Sequence, residues 1–456
     1  MRAPGASSFS RVVAPSDSEG TVRVLRRSLL STLGAGLALA GVVTFAGSAH
    51  ADVTPAQAAD YAAGWLGRTM DPTGYVPSLG GADYNTTALS VLALVAAEVG
   101  GEQAQEATDY LFAHVDAYVK DDDANDRPAA LAALILVGHA MGEDVTALVT
   151  RLLATQRADG PDAGLFGVQG ATYDGTYRQA FALLALAAVG QTDAEAVAWL
   201  KAEQCDDGGW MANRPDTSAP CPAFDYNSFV GEDSNGTALA AQALAALGET
   251  PLHDPLDFLA EAQNEDGGFA FVPGFGSDTN STALAIQALI ALGEDLDDWA
   301  APDGTPYDFL LAMQLGNPPA TTAGALAFQP GQGGTLTANA FATAQAVPAL
   351  AGKAFPLAPA TLSNELPLLP AEVVATPSVT ASVTPSVAPT TAVTPVPRPS
   401  HVITDFGPVP ELPDTGPVGD KPWDATGQAV FALGLVGYGA LALGGAKLAA
   451  RRGKHV

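Results

Sequence analysis

Residues 263–293, QNEDGGFAFVPGFGSDTNSTALAIQALIALG, are the stretch from which the rest of the chain is interpreted. We expect one helix to end at Gln263, an acidic glycine turn to follow at residues 266–269, and an alanine-rich helix to begin near Asp278. Glycines end helices because they adopt left-handed backbone conformations without strain. The stretch is therefore a joint between two helices, and its variants recur along the chain.

Two kinds of helix alternate six times between residues 54 and 352. The first helix of each pair is amphipathic, and the six lie near residues 56–65, 104–118, 145–156, 194–204, 255–263 and 306–314. The second helix is richer in alanine and is apolar on nearly every side, beginning near residues 86, 127, 178, 236, 281 and 338. Because a helix that is apolar all round must be buried, each pair should supply one outer and one inner helix. Six pairs without polar capping repeats predict an all-α fold, an α/α toroid of six helix pairs (an α6/α6 barrel) at residues 52–353.

The predicted joint also carries a family resemblance. Residues 199–210, WLKAEQCDDGGW, resemble the aromatic, glutamine, glycine and tryptophan repeat of the squalene-hopene and oxidosqualene cyclases, and residues 258–269 resemble a second copy. The resemblance is to the terpene cyclase and prenyltransferase superfamily, which includes intrinsic factor and transcobalamin relatives. It extends over about 300 residues and implies the same toroidal fold.

The resemblance does not extend to the catalytic acid. Cyclases of this type protonate a double bond with the middle acid of a D-x-D-D-T-A motif, whereas residues 278–283 of this chain read D-T-N-S-T-A. Residues 233–238 and 83–88 have the same substitution. Since the amide of Asn280 cannot protonate an alkene, whether the chain is an enzyme is uncertain, and no catalytic residue is assigned. We interpret the Asn, Ser and Thr residues of these segments as helix N-caps.

In a toroid of this kind, the loops before the inner helices converge around a cavity, and here those loops carry aromatic and acidic residues. The candidate ligand-mouth residues are Tyr173, Tyr177, Trp210, Tyr226, Asp233, Phe269, Phe271 and Asp278. The alternative is that the aromatic rings only pack the loops together. Cys205 and Cys221 are expected to form one disulfide. No metal site and no cofactor are expected.

Both ends of the chain resemble targeting signals. Residues 1–51 have the pattern of a signal peptide, with small residues Ala49 and Ala51 before the cleavage point; a general secretory and a twin-arginine signal both remain open. Residues 354–411, rich in Pro, Thr, Ser and Val, are expected to form a disordered stalk. Residues 412–456 combine an L-P-x-T-G pentapeptide, an apolar run at 429–446 and a basic tail. The pentapeptide residues are Leu412, Pro413, Asp414, Thr415 and Gly416.

That combination resembles the cell-wall sorting signal of Gram-positive surface proteins. The resemblance implies that a sortase cleaves between Thr415 and Gly416 and joins Thr415 to peptidoglycan, while the apolar run is a helix that lies transiently in the membrane. The expected location is therefore the cell wall, outside the cell. Sortase and peptidoglycan are the expected partners.

Charge excludes one class of function. Residues 52–415 hold 10 Lys and Arg against 45 Asp and Glu, a formal charge of −35, which repels nucleic acid and anionic lipid. The favoured hypothesis is a non-catalytic, wall-displayed binding module for a small molecule or a glycan. The alternatives are an exported enzyme, either a divergent terpene cyclase or a carbohydrate-active enzyme, and a structural wall protein.

Overall fold

The computed structural model describes residues 53–121, 124–167, 175–212, 214, 216–225 and 230–371 of the chain. These ranges contain thirteen α-helices and four short strands, so the predicted all-α class is confirmed. The helices are α1 Pro55–Thr69, α2 Tyr84–Ala97, α3 Gly101–Ala113, α4 Val115–Val119, α5 Pro128–Met141, α6 Thr146–Ala154, α7 Gly175–Ala188, α8 Ala194–Ala202, α9 Ser234–Ala246, α10 Pro255–Ala262, α11 Thr279–Leu292, α12 Pro306–Ala312 and α13 Ala340–Leu350. Strands β1 Val76–Ser78 and β2 Gly81–Asp83 form one antiparallel ribbon, and β3 Trp210–Met211 and β4 Glu232–Asp233 form another.

The helices form where the sequence pattern predicts them. At the joint of residues 263–293, helix α10 ends at Ala262 with Gln263 as its C-cap, and α11 has Asp278 as its N-cap and Gly293, with φ 77°, as its C-cap. One outer helix differs from the prediction, because the expected single helix at 104–118 is divided at His114 into α3 and α4. The backbone at His114 has φ −119° and ψ 27°, outside the helical region.

The alanine-rich helices α2, α5, α7, α9, α11 and α13 hold most of the buried core. Each of them contacts the next one along the chain, and α13 contacts α2. Helix α1 contacts both α13 and α12. The first and last helix pairs are therefore neighbours in space; we call the contacts of α1 with α12 and α13 the seam.

Glycine turns join each pair to the next. Gly267 has φ 82°, and a Cβ there would lie 2.4 Å from the carbonyl oxygen of Thr305, immediately before α12. Gly324 has φ 92°, and its Cβ would lie 2.6 Å from the carbonyl oxygen of Tyr61 in α1. Only glycine fits both the backbone angle and the close approach. The turn after the last outer helix thus packs on the first outer helix in the way that an earlier turn packs on its successor.

Glutamine amides make a second link between pairs. Gln263 Nε2 donates to the carbonyl oxygens of Gly267 (3.2 Å) and Trp299 (2.7 Å), joining its own turn to the segment before α12. Gln314 Nε2 donates to the carbonyl oxygens of Gly324 (3.0 Å) and Ala58 (2.9 Å), and Ala58 belongs to α1. This link also joins the last pair to the first.

The beginning of the predicted stalk is part of the helical domain. Residues 354–371, which we call the strap, contain no helix or strand and pack against the helices, with Phe355, Leu357 and Leu369 buried. Three well-spaced apolar side chains provide the burial that the rest of the stalk composition lacks. The sequence-based boundary at residue 353 is therefore corrected to residue 371 at the earliest.

Within the described ranges, no helix has both the length and the apolar character needed to span a membrane. The predicted signal peptide, the remaining stalk at 372–411, the sorting pentapeptide and the apolar run at 429–446 lie outside those ranges.

Candidate functional site

The two acidic residues of the predicted mouth cap inner helices. Asp233 is the N-cap of α9, and its Oδ1 accepts from the backbone N–H of Gly236 at 2.7 Å. Asp278 is the N-cap of α11, accepting from the N–H of Ser281 at 2.8 Å and from the Ser281 hydroxyl at 2.7 Å. The cap is thus the first acid of each segment. Our interpretation of the Asn, Ser and Thr residues as the caps was wrong for these two helices.

Tyr177 joins this arrangement from helix α7. Its hydroxyl donates to Oδ1 of Asp233, and both side chains are buried. Burial, followed by the charge of Asp233, raises the pKa of Tyr177 well above its ordinary value, so the phenol is a neutral donor. Burial raises the pKa of Asp233 to about 6, although the hydrogen bonds from Gly236 and Tyr177 lower it. The carboxylate oxygen that faces Tyr177 is thus already occupied by two donors.

Asp278 and Asn280 sit at the corresponding place on α11. Burial raises the pKa of Asp278 to about 6, against the lowering effect of the Ser281 hydrogen bonds. Asn280 is 6% exposed, and its Oδ1 has no protein hydrogen-bond partner among the described residues. The third residue of the segment 278–283 is therefore a buried acceptor that no described residue satisfies.

Two predicted mouth aromatics belong to the core. Trp210 and Phe269 are both 0% exposed. Trp210 Nε1 donates to the carbonyl oxygen of Leu200 at 2.8 Å, and the Phe269 ring lies 5.9 Å from that of Trp299. Large rings that pack between repeats have no face left for a ligand, so the expectation that these two line an accessible mouth is corrected in favour of loop packing.

The other predicted aromatics are less buried or undescribed. Phe271 is half-buried and makes an edge-to-face contact with Phe224 at 6.3 Å. Its carbonyl oxygen accepts from the N–H of Ser234 at 2.9 Å, which ties its loop to the start of α9. Tyr173 and Tyr226 lie outside the described residues.

A pocket is lined mainly by residues of other inner helices, α2, α5, α7 and α13. Its volume is about 20 Å³, which has room for roughly one water-sized group. Its lining residues are apolar apart from Tyr118 and Asn85, and Asn85 Oδ1 is buried with no hydrogen-bond partner among the described residues. The lining residues are Asn85, Leu89, Tyr118, Ala129, Ala133, Phe181 and Phe341.

Stacked aromatic rings lead from this pocket toward the surface. Tyr118 in the pocket wall stacks on Tyr84 with ring centroids 5.5 Å apart, and Tyr84 stacks on Tyr110 at 6.1 Å. Tyr110 in turn stacks on the exposed His114 at 4.2 Å. Sequence reasoning missed this row because its members come from three helices. The one hint in the sequence is that Tyr84 immediately precedes Asn85, in the segment that corresponds to residues 278–283.

The cysteines form the expected disulfide, with Cα atoms 5.8 Å apart. Glu232 lies close enough to Cys205 and Cys221 for a three-ligand metal cluster, but bonded sulfurs offer no thiolate. Burial, then the neighbouring charge of Asp207, raises the pKa of Glu232 to about 8. The loop is therefore closed by a disulfide and carries a partly protonated carboxyl group, that of Glu232.

Comparison with known proteins gives no family. No protein-family description matches the chain, and no curated protein sequence matches it. A solved structure, described only as a protein from Actinoplanes, resembles it with a TM-score of 0.44 and 16% identity, over 65% of this chain and 99% of that one.

Proposed function

We propose that the chain is an exported, wall-anchored surface protein whose six helix pairs form an α/α toroid that acts as a non-catalytic binding module. The links between the last and first pairs support the toroid. Gly324 and Gln314 reach Tyr61 and Ala58 of α1 with the same contacts that Gly267 and Gln263 make to their successor. In a closed ring of repeats, the last repeat contacts the first in the way that each repeat contacts the next.

The observation that carries the binding proposal is a set of buried amides inside the inner helices. Gln242 on α9 and Gln345 on α13 are 0% and 4% exposed, and neither amide atom of either has a protein partner among the described residues. A buried polar group without a partner costs about 1–3 kcal/mol. Leucine would suit these positions better for stability alone. Polar groups kept there at a cost, together with Asn85 and Asn280, are what an interior that receives a hydrogen-bonding ligand requires.

Binding is favoured over catalysis because the buried acids are engaged. Oδ1 of Asp233 accepts hydrogen bonds from the N–H at the start of α9 and from the Tyr177 hydroxyl. Both carboxylate oxygens of Asp278 accept hydrogen bonds from Ser281. A general acid needs a proton that can reach a substrate atom, and a capping carboxylate does not offer one. The described pocket has room for one group about the size of a water molecule, such as a single hydroxyl or methyl group of a larger ligand.

The binding proposal is tested with purified full-length protein in thermal-shift and calorimetric titrations. The probes are neutral oligosaccharides, including N-acetylglucosamine and glucose oligomers, and cyanocobalamin as a bulky small molecule. We expect one class to raise the melting temperature and Asn85→Leu to abolish that rise. Asn235→Leu is the matched control, since Asn235 is the second residue of α9, as Asn85 is of α2, but does not line the pocket. If no probe stabilises the protein, the binding proposal fails.

The anchoring proposal has its own test. We expect Thr415→Ala to remove the protein from the covalent fraction of wall digests and to leave it in the membrane fraction. Thr415→Ser is the conservative comparison. Covalent attachment of the alanine variant would refute the sorting signal without affecting the binding proposal.

A further inference from the structure

Helix α1 has a surface that is shaped for the strap. It contains Gly64 and Gly67 in the middle of a regular helix, where glycine is disfavoured. A Cβ at Gly64 would lie 2.1 Å from the carbonyl oxygen of Pro367, and one at Gly67 would lie 2.5 Å from Cδ2 of Leu366. Neither position has a backbone reason for glycine, because both are helical. The missing side chains are explained by the close approach of the strap.

Helix α3 offers a second contact through its free backbone donors. The N–H groups of Gly100 and Gly101, at the N-cap and first residue of α3, have no partner within the helix. They donate to the strap carbonyl oxygens of Glu365 (2.9 Å) and Ser363 (2.8 Å). The Ser363 N–H donates back to the carbonyl oxygen of Glu98 at 3.0 Å.

The far end of the strap reaches the last helix pair. Asn317, which follows α12, donates its Nδ2 to the carbonyl oxygen of Leu369 at 2.7 Å, and Leu369 is buried. Arg68 at the end of α1 donates from Nη1 to the carbonyl oxygens of Leu366 (3.0 Å) and Pro367 (2.8 Å). The strap thus contacts α1, α3 and the turn after α12.

We propose that the strap is a clasp that holds the first helix pair to the last. It lies beside the direct contacts of the seam, in which Trp65 Nε1 donates to the carbonyl oxygen of Thr321 at 2.9 Å and Gln314 donates to Ala58. Pro356, Pro359, Pro367 and Pro370 restrict the backbone of the strap before it docks, so less conformational entropy is lost on docking. Since the chain continues from residue 371 toward its C-terminus, drawing the strap away from that side loosens the seam while the middle pairs keep their contacts.

The sign of one substitution tests the clasp in the full-length chain. We expect Gly64→Ala to lower the melting temperature, because the new methyl group displaces Pro367. The same substitution should raise the melting temperature when residues 354–371 are replaced by Gly-Ser repeats of equal length, since alanine then only improves the helix. A lowering in both backgrounds would show that Gly64 is required for another reason and would overturn the proposal.

Hydrogen–deuterium exchange locates the effect. We expect Gly64→Ala to accelerate exchange about tenfold in the peptide containing Gly100 and Gly101, and also in α1 and α12, but not in α7 and α9. Gly175→Ala is the matched control, since its Cβ would lie 2.2 Å from the carbonyl oxygen of Ala212, an equally severe clash far from the strap. It should destabilise the protein without accelerating exchange at Gly100.

A milder variant covers the case in which strap replacement prevents folding. Arg68→Ala removes two hydrogen bonds to the strap and no core atoms, so it should loosen α1 and α12 less than Gly64→Ala but at the same places. Faster exchange of Gly100 and Gly101 with unchanged exchange in α1 and α12 would mean that the strap only covers the seam, and the clasp would be refuted.

Discussion

A helix cap is chosen by the shape of the backbone as much as by the type of side chain. Asp278 has φ −137° and ψ 157°, an extended conformation from which its carboxylate reaches the N–H three residues later. Asp83 and Asp233 cap α2 and α9 in the same way. Sequence reasoning identified these segments as helix starts but chose the wrong residue within them, because several adjacent polar residues could all have served as caps. The result leaves Asn280 with an unsatisfied acceptor, which no pattern in the sequence would have indicated.

Threonine hydroxyls link four of the described turns to their inner helices. Thr282 Oγ1 accepts from the backbone N–H of Phe269 at 2.8 Å, and Thr237 accepts from Trp210 at 3.0 Å. Thr87 and Thr343 make the equivalent bonds to Val76 and Leu326. These bonds explain why the repeat retains a hydroxyl inside an apolar helix.

Thr282→Val is the test at this scale. The variant keeps the shape of the side chain but leaves the buried N–H of Phe269 without an acceptor, which should lower the free energy of unfolding by about 1–3 kcal/mol. Denaturant titration measures the loss. Thr282→Ser keeps the hydroxyl and should cost clearly less; equal losses for valine and serine would show that the hydrogen bond contributes no more than the methyl group.

At the scale of elements, the helices were predictable and the strap was not. Alanine-rich inner helices stand out because no other element is apolar on all sides, and outer helices such as α10 carry a periodic apolar face. The strap has neither an all-round apolar character nor a periodic apolar face. Its Pro-rich composition resembles the stalk that follows, and only Phe355, Leu357 and Leu369 set it apart. When a segment packs into a groove formed by glycines, the sequence signal lies in those glycines and not in the segment. Here they are Gly64 and Gly67 of α1.

The candidate site was only partly predictable for a related reason. Aromatic residues in loops were taken as the mouth, yet Trp210 and Phe269 are core residues. The pocket is instead lined in part by residues at the beginnings of several inner helices, including Asn85, Ala129 and Phe341. Which loop rings turn inward depends on packing between repeats, and a single sequence does not contain that information in any local pattern.

Gln314 provides the test at the element scale. Gln314→Met keeps the length of the side chain but leaves the carbonyl oxygens of Ala58 and Gly324 without their donor, so we expect a loss of roughly 2 kcal/mol in the free energy of unfolding. Gln105→Met on the exposed face of α3 is the control and should change stability little. A loss no larger than the control's would show that the last and first pairs do not depend on this link.

For the whole molecule, the burial of acids and the excess negative charge both lower the stability of the folded state as the pH rises. Asp233 and Asp278 have their pKa values raised by burial from 3.8 to about 6, and burial raises the pKa of Glu203 to about 7. The folded state therefore holds protons that the unfolded chain has released between about pH 4 and pH 7. Stability from these groups is complete below their unfolded pKa values and is lost as the pH rises through the folded ones. Repulsion within the strongly acidic chain grows over the same range.

We therefore expect the melting temperature of the full-length protein to fall as the pH rises from 5 to 8.5, the reverse of the behaviour of a protein stabilised by ionised carboxylates. Each of the two buried aspartates should contribute on the order of 2–3 kcal/mol to this dependence. The double variant Asp233→Asn, Asp278→Asn keeps a capping side chain at both helices but cannot ionise, so its melting temperature should vary less with pH. Calorimetry at several pH values and constant ionic strength measures both proteins. A melting temperature that rises toward pH 8.5, or an equal slope in the double variant, would show that these carboxylates are ionised in the fold and that their hydrogen bonds to the helix N-termini outweigh the effect of burial.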